Sequence, residues 1–173
     1  IAEMRRNVEI KARVSDLPLL FTRIRSIADS GPTLIHQDDT FYQFPWGRLK
    51  LRRFAEGEAV LVLYDRLDRP GAMESRYCLI ETCAPEALDE RLSRRYGICG
   101  RVVKERTLFL IGNTRVHLDR VKELGQYVEL EVVLKGKETV ESGIETAHRL
   151  MDRLGISNDS LIDKAYVDLL NER

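Results

Sequence analysis

The chain has no apolar run approaching the roughly 20 residues that a bilayer-crossing helix needs, which sets aside a helical membrane protein. It has no surplus of positive charge: 28 Lys and Arg balance 28 Asp and Glu. A nonspecific nucleic-acid binder draws its affinity from a basic excess, so that class loses its main support. Cysteine is scarce. Cys78, Cys83 and Cys99 are odd in number and never spaced as CxxC, which argues against zinc and for reduced, inert core thiols in a cytoplasmic protein. The histidines, His36, His117 and His148, show no HExxH spacing. No linker, low-complexity tract or repeat divides the chain, and the opening IAEMRRNVEIK does not read as a signal peptide. A single domain over residues 1–173, large enough to bury one good core, is the expectation.

What is present is alternation. NVEIKAR reads as a strand, followed by a helix over SDLPLLFTRIRSIADSG with Ser15 or Asp16 as cap and Pro18 in its first turn. QDDTFYQF, RLKLRRF, AVLVLYDRL and SRYCLIETC then read as a meander of strands, with DRPGAME as a loop and Trp46 in a PWG turn. PEALDERLSRRYG reads as a helix, GRVVKERTLFLI, TRVHLDRV and QYVELEVVL as strands, and ETVESGIETAHRLMDRLG and DSLIDKAYVDLL as closing helices. About eight strands with helices between them predict an α+β fold with a largely antiparallel sheet.

Six of these strands carry ionisable side chains at period two, the spacing that places them on one face. The rows are Asn7, Glu9 and Lys11; Arg48, Lys50 and Arg52; Tyr64 and Arg66; Lys104 and Arg106; Arg115, His117 and Asp119; and Tyr127, Glu129 and Glu131. A sheet with one wet face would also give such rows. Their composition points elsewhere: the basic rows are Arg and Lys with little Ser or Thr, and the acids gather on few strands. If the sheet curls with these faces inward, the lumen has a cationic wall and an acidic patch, and so much buried charge calls for a charged guest. A polyphosphate with a divalent metal satisfies both walls. Arg and Lys clamp phosphate oxygens, and carboxylates supply the hard ligands that Mg²⁺ or Mn²⁺ prefers.

These residues also carry a resemblance. NVEIKAR is similar to the N-terminal ExExK signature of the CYTH superfamily, the triphosphate tunnel metalloenzymes, which include class IV adenylyl cyclases, thiamine triphosphatases and inorganic triphosphatases. QDDTFYQFPWGRLKLRR, VVKERTLF, TRVHLDRVKELGQYVELE and AYVDLL follow in the family's order, and the block from Arg115 to Glu131 resembles most the class IV cyclase-like branch. The resemblance implies an eight-stranded antiparallel β-barrel forming a charged tunnel, with helices packed outside. It implies metal ligation by Glu9, Asp119, Glu129 and Glu131. It implies triphosphate contacts from Lys11, Lys50, Arg52, Arg66, Lys104, Arg106 and Arg115, with Lys164 as a further candidate from the C-terminal segment.

Three positions depart from the family pattern: Asn7 replaces the first Glu of ExExK, Met73 stands in a loop where Lys or Arg is usual, and Ala165 replaces Ser before Tyr166. Asn7 and Met73 bear on metal and phosphate affinity rather than on fold, and Arg76 is a possible substitute for the missing base. Glu129 and Glu131 are expected to be catalytic through the metal, and Lys11 to serve as general base if cationic neighbours lower its pKa. Arg48 is expected outside the site, and His117 in its wall. Trp46 is equally a packing, interface or base-stacking residue. The expected activity is cyclase-like, ATP to cyclic AMP and pyrophosphate. The alternatives are hydrolysis of tripolyphosphate, thiamine triphosphate or a nucleoside triphosphate, or a non-catalytic polyphosphate-binding module. The expected partner is a small-molecule triphosphate, without nucleic acid or membrane, and the expected state is monomer or homodimer.

Overall fold

The computed structural model describes residues 4–66 and 71–173, the side chain of Arg66 excepted. Eight antiparallel strands close into a barrel. They are β1 (Arg5–Arg13), β2 (Ser30–Tyr42), β3 (Arg48–Phe54), β4 (Ala59–Arg66), β5 (Met73–Thr82), β6 (Ile98–Ile111), β7 (Thr114–Val121) and β8 (Gly125–Leu134). Around the barrel the order is β1-β5-β4-β3-β2-β6-β7-β8, so two meanders, β2 to β5 and β6 to β8, are joined by β1 on one side and by the β2–β6 pair on the other. The α+β barrel expected from the sequence is the fold observed.

The helices are α1 (Leu17–Ile27), α2 (Pro85–Tyr96), α3 (Val140–Leu154) and α4 (Tyr166–Asn171). Local chemistry fixes their ends. Asp16 accepts a hydrogen bond from the Leu19 N–H at the start of α1, and Thr139 does the same for Ser142 at the start of α3. Gly155 ends α3 with φ +71°, a conformation that a side chain disfavours. No helix among the described residues is long and apolar enough to cross a membrane.

The core lies outside the barrel wall. Val8, Ile10 and Ala12 of β1, Val116 and Leu118 of β7, and Val128, Leu130 and Val132 of β8 point outward and pack against Leu20 and Ile24 of α1 and Ala147, Leu150, Met151 and Leu154 of α3. A Cβ on Gly143 would stand 2.7 Å from Val8 and 2.9 Å from Leu134, so α3 sits this close to the sheet because glycine occupies that contact. On the far side α2 covers Tyr42, Leu49 and Leu51 with Leu88, Leu92 and Tyr96. With both apolar faces turned out, the alternate residues of every strand face the lumen.

Three boundaries differ from the sequence reading. α1 ends at Ile27 and β2 begins at Ser30, where the helix was expected to run to Gly31 and the strand to start at Gln37; pairing with β6 draws residues 30–36 into the sheet. β5 begins at Met73, so the expected loop is already strand there, with Met73 in register opposite Glu9. The segment expected as a last helix is a short 3₁₀ turn, Asn158–Ser160, then extended chain whose Leu161 bridges to Ala12, and only then α4. That chain is held by β1: the Ile162 N–H bonds the Lys11 carbonyl. α4 then brings Ala165 and Tyr166 against Phe41, Val102, Val121 and Tyr127, which closes one end of the barrel.

Candidate triphosphate site in the barrel lumen

The lumen is a cavity of about 250 Å³. Its lining includes Asn7, Glu9 and Lys11 of β1, Lys50 and Arg52 of β3, Lys104 and Arg106 of β6, Arg115 and His117 of β7, and Glu129 and Glu131 of β8. Most of the residues expected to bind a ligand are therefore brought together. Arg66 ends β4 in register with Ser75, and its side chain lies outside the described residues.

The cations of one wall share a single carboxylate, Asp39. Arg52 donates to both its oxygens at 2.7 Å, Lys50 donates at 2.9 Å and Lys104 at 3.4 Å. Burial alone would raise the pKa of Asp39, but Arg52, Lys104 and Lys50 outweigh it and hold the carboxyl well below its usual range. One negative charge cannot neutralise three positive ones, and the lysines show the surplus. Burial, with help from neighbouring arginines and against the pull of Asp39, lowers Lys50 to about 8 and Lys104 to about 7.

The opposite wall is a mixed network. Arg106 donates to both oxygens of Asp119 at 2.7 Å and reaches Glu129 at 3.3 Å. Glu129 also meets Lys11 at 3.2 Å and His117 Nδ1 at 3.0 Å. Burial opposes ionisation of Glu129, yet Lys11, Arg106 and His117 hold its pKa well below normal. Glu131 lies opposite Glu9 in register and accepts from Arg115 at 2.9 Å; Arg115 also donates to the Tyr77 hydroxyl at 2.9 Å. The Lys11 ammonium lies 4.1 Å from the centre of the Tyr166 ring. Lys104 stands on the other side of the same ring, 5.7 Å from its centre, and meets Asp39 as Lys11 meets Glu129.

Several expected site residues stand elsewhere. Asp119 is fully buried behind the lumen, engaged by Arg106 and by the Tyr166 hydroxyl at 2.9 Å, which leaves its oxygens committed to protein donors. Lys164 is on the surface, paired with Glu172, and does not line the cavity. Arg76 points outward to Glu74 and so does not replace a base at Met73. Arg48, as expected, lies outside, paired with Asp168 of α4 at 2.7 Å. Trp46 is 73% exposed, edge-on to Phe44 and away from the cavity lining. Cys83 is exposed rather than in the core, and Cys78 and Cys99 are half-buried.

Asp39, Gln37, Tyr77 and Tyr166 are lining or supporting residues that the sequence reading did not single out. The signal for Asp39 was available: β2 continues the two-residue alternation, so of the adjacent pair Asp38 and Asp39 one must point in. Asp38 points out, to Arg101. His117 stands in the cavity wall, as expected, and also offers a ligand atom. Its ring nitrogen and the carboxylates of Glu129 and Glu131 present ligand atoms within 4.8 Å of one another. A larger cavity of about 710 Å³ is lined by residues of β2, β3, β6, β7 and β8, Gln37 and Lys104 among them, but its Arg120 and Glu105 pair with each other, and the converging charges are in the lumen.

The CYTH-domain family model matches residues 5–166. No curated protein matches the chain in sequence. Among solved structures, the PH1012 protein of Pyrococcus horikoshii OT3 is similar with a TM-score of 0.83 at 23% identity, over 94% of this chain and 98% of that one. A Vibrio parahaemolyticus protein described as a candidate adenylate cyclase gives 0.81 at 17% identity, over 95% and 97%. A Hippeastrum protein described as a candidate adenylyl cyclase with a dominant triphosphatase activity gives 0.60 at 16%, over 96% and 95%. At these identities the likeness is one of fold. The family match runs from the first residue of β1 to the first residue of α4, and the chain belongs to the CYTH-domain family, the triphosphate-tunnel fold.

Proposed function

We propose that this protein is a divalent-metal-dependent enzyme that binds a triphosphate in the barrel lumen and cleaves it there, converting ATP to cyclic AMP and pyrophosphate in the manner of a class IV adenylyl cyclase. The supporting observation is the Lys50, Arg52 and Lys104 cluster on one carboxylate, facing Glu9, Glu129 and Glu131 across one cavity. In the free protein Asp39 holds the cations apart and aimed inward. A triphosphate supplies the negative charge they lack, and Arg106 and Arg115 extend the clamp along its length. The proton of the nucleophile passes to a lumen base. Lys11, outside the Asp39 cluster, is the lysine the sequence suggested for that role, while Lys50 and Lys104 serve the phosphates as ammonium groups.

The donor set fits a metal. Asn7 Oδ1 is buried without a hydrogen-bond partner and lines the same cavity as Glu9, His117, Glu129 and Glu131. Those residues would hold Mg²⁺ or Mn²⁺, which supplies charge neutralisation on the phosphate oxygens. Asp119 is better assigned to fixing Arg106 than to the metal. The protein is assigned to the cytoplasm as one domain over residues 1–173, acting as monomer or homodimer.

A second reading, hydrolysis by water in place of the ribose 3′-hydroxyl, uses the same clamp, and the Hippeastrum relative is described with that activity. Incubation with ATP, thiamine triphosphate or tripolyphosphate and Mg²⁺ or Mn²⁺ separates the readings. Cyclic AMP with pyrophosphate identifies the cyclase, and orthophosphate the triphosphatase. Either activity should fall at least about 100-fold in Glu131→Gln. Binding of all three without turnover would reduce the protein to a polyphosphate-binding module, and absence of binding would contradict both chemistries.

A further inference from the structure

The C-terminal segment meets Lys11 twice. The Ile162 N–H bonds the Lys11 carbonyl at 3.0 Å, and Tyr166 then returns to the Lys11 side chain. Tyr166 is buried and engages the ionic network with both of its parts. Its hydroxyl donates to Asp119 Oδ2 at 2.9 Å, beside the 2.7 Å bond that the same oxygen accepts from Arg106. Burial and the nearby Asp119 and Glu129 carboxylates hold the phenol well above its usual pKa, so the hydroxyl stays a donor. Its ring has two ammonium groups over it, Lys11 of β1 at 4.1 Å and Lys104 of β6 at 5.7 Å from the centre. The contacts form a closed circuit through four strands and α4. Tyr166 binds Asp119, Asp119 binds Arg106, Arg106 reaches Glu129 at 3.3 Å, Glu129 pairs with Lys11 at 3.2 Å, and Lys11 returns to the ring.

Closing the barrel end against Phe41, Val102, Val121 and Tyr127 asks only for an apolar side chain. The two lysines ask for more. Lys104 reaches Asp39 at 3.4 Å, behind Arg52 and Lys50, and Glu129 is shared by Lys11, Arg106 and His117. Both ammonium groups are short of negative charge in a buried place, where the negative face of an aromatic ring attracts a cation most strongly. The backbone that presents the ring is fixed from outside the lumen, by Arg48 on Asp168 and by the Asn171 amide, which donates to the Cys99 carbonyl at 2.9 Å.

We propose that Tyr166 is a positioning residue of the triphosphate site: its ring holds Lys11 and Lys104 aimed into the lumen, and its hydroxyl, through Asp119, sets Arg106. This rests on the triphosphate reading above and adds the C-terminal helix to that site. The test is calorimetric titration of tripolyphosphate with Mn²⁺, from about pH 6 to about pH 9, into the wild type, Tyr166→Phe, Tyr166→Leu and Tyr166→Met. Wild-type affinity falls as pH rises past about 7, where Lys104 loses its proton among Asp39 of β2, Lys50 and Arg52 of β3, Arg106 of its own strand and Asp119 of β7. Phe keeps the ring, so binding stays within about threefold of the wild type and the fall keeps its pH. Leu and Met fill the space without a ring. Each should bind at least about tenfold more weakly, and the fall should move by about one unit to lower pH, because the Lys104 ammonium has lost the ring that favoured it. Affinity lost with the wild-type pH dependence, affinity unchanged in both ringless variants, or a Phe variant as weak as they are, makes Tyr166 a packing residue only and overturns the role while leaving the triphosphate site standing. Where the ringless variants fail to fold, the Phe variant decides: an unmoved fall upholds the role and a displaced one overturns it. A wild type that binds no tripolyphosphate overturns the triphosphate reading itself.

Discussion

Asp39 is the side chain on which the cationic wall depends. Asp39→Asn leaves Lys50, Arg52 and Lys104 buried together without a counter-charge, and removing one member of a buried ionic group costs about 3–5 kcal/mol. The thermal midpoint should drop accordingly, and tripolyphosphate should restore more stability to this variant than to the wild type. A variant as stable as the wild type without any anion would contradict that role. The lysines add a pH signature. Lys104 and Lys50 have folded pKa values of about 7 and about 8, below the 10.5 of an unperturbed lysine. The unfolded chain therefore binds more protons across that window, so their contribution destabilises the free protein fully at low pH and is relieved as pH rises from about 7 toward 10.5. The ligand needs the ammonium form, so its affinity should fall over the same rise, with proton uptake on binding visible in buffers of different ionisation enthalpy. Lys104→Met should flatten both trends in melting and calorimetric titrations. At this scale the sequence was half legible. Period two placed Lys50 and Arg52 inward, but the doubled Asp38–Asp39 needed the register to decide which carboxylate points in. Nothing local showed that Asp119 is committed to Arg106 and Tyr166.

Among the elements, α4 does the least regular work. It carries Tyr166 into the lumen end, pairs Asp168 with Arg48, and packs Val167 against Gly100 of β6. A Cβ on Gly100 would stand 2.4 Å from Val167 Cγ2, and Val167 is buried and β-branched, with little room to turn. Gly100→Ala should therefore cost about 1–3 kcal/mol in denaturant titration and loosen the closed end, with hydrogen exchange rising in α4 more than in α3. Equal protection in both helices would show that α4 is not held through this contact. The strands were legible because outward apolar and inward charged residues alternate over long runs. The chain after Ser157 was not, because its apolar residues suit a helix by spacing while β1 recruits Leu161 and Ile162 into extended backbone. The start of β5 was hidden for a similar reason: pairing with β1 extends the strand into a stretch with turn composition.

The barrel as a whole inverts the usual arrangement, with grease between sheet and helices and charge within. That inversion was readable before the structure, because six charged rows at period two have one economical closure. The rest depended on three-dimensional closeness: Glu129, His117, Lys11 and Arg106 come from four strands, and only the closed register shows that they share one network. The most direct test of the tunnel as a triphosphate site is a crystal structure with tripolyphosphate and Mn²⁺, using the anomalous signal of the metal. The phosphates should lie in the lumen within hydrogen-bond reach of Lys50, Arg52, Lys104 and Arg106, with the manganese peak beside Glu9 and Glu131. A lumen that stays closed on its own ion pairs at saturating ligand, or phosphates bound only on the outer surface, would contradict it.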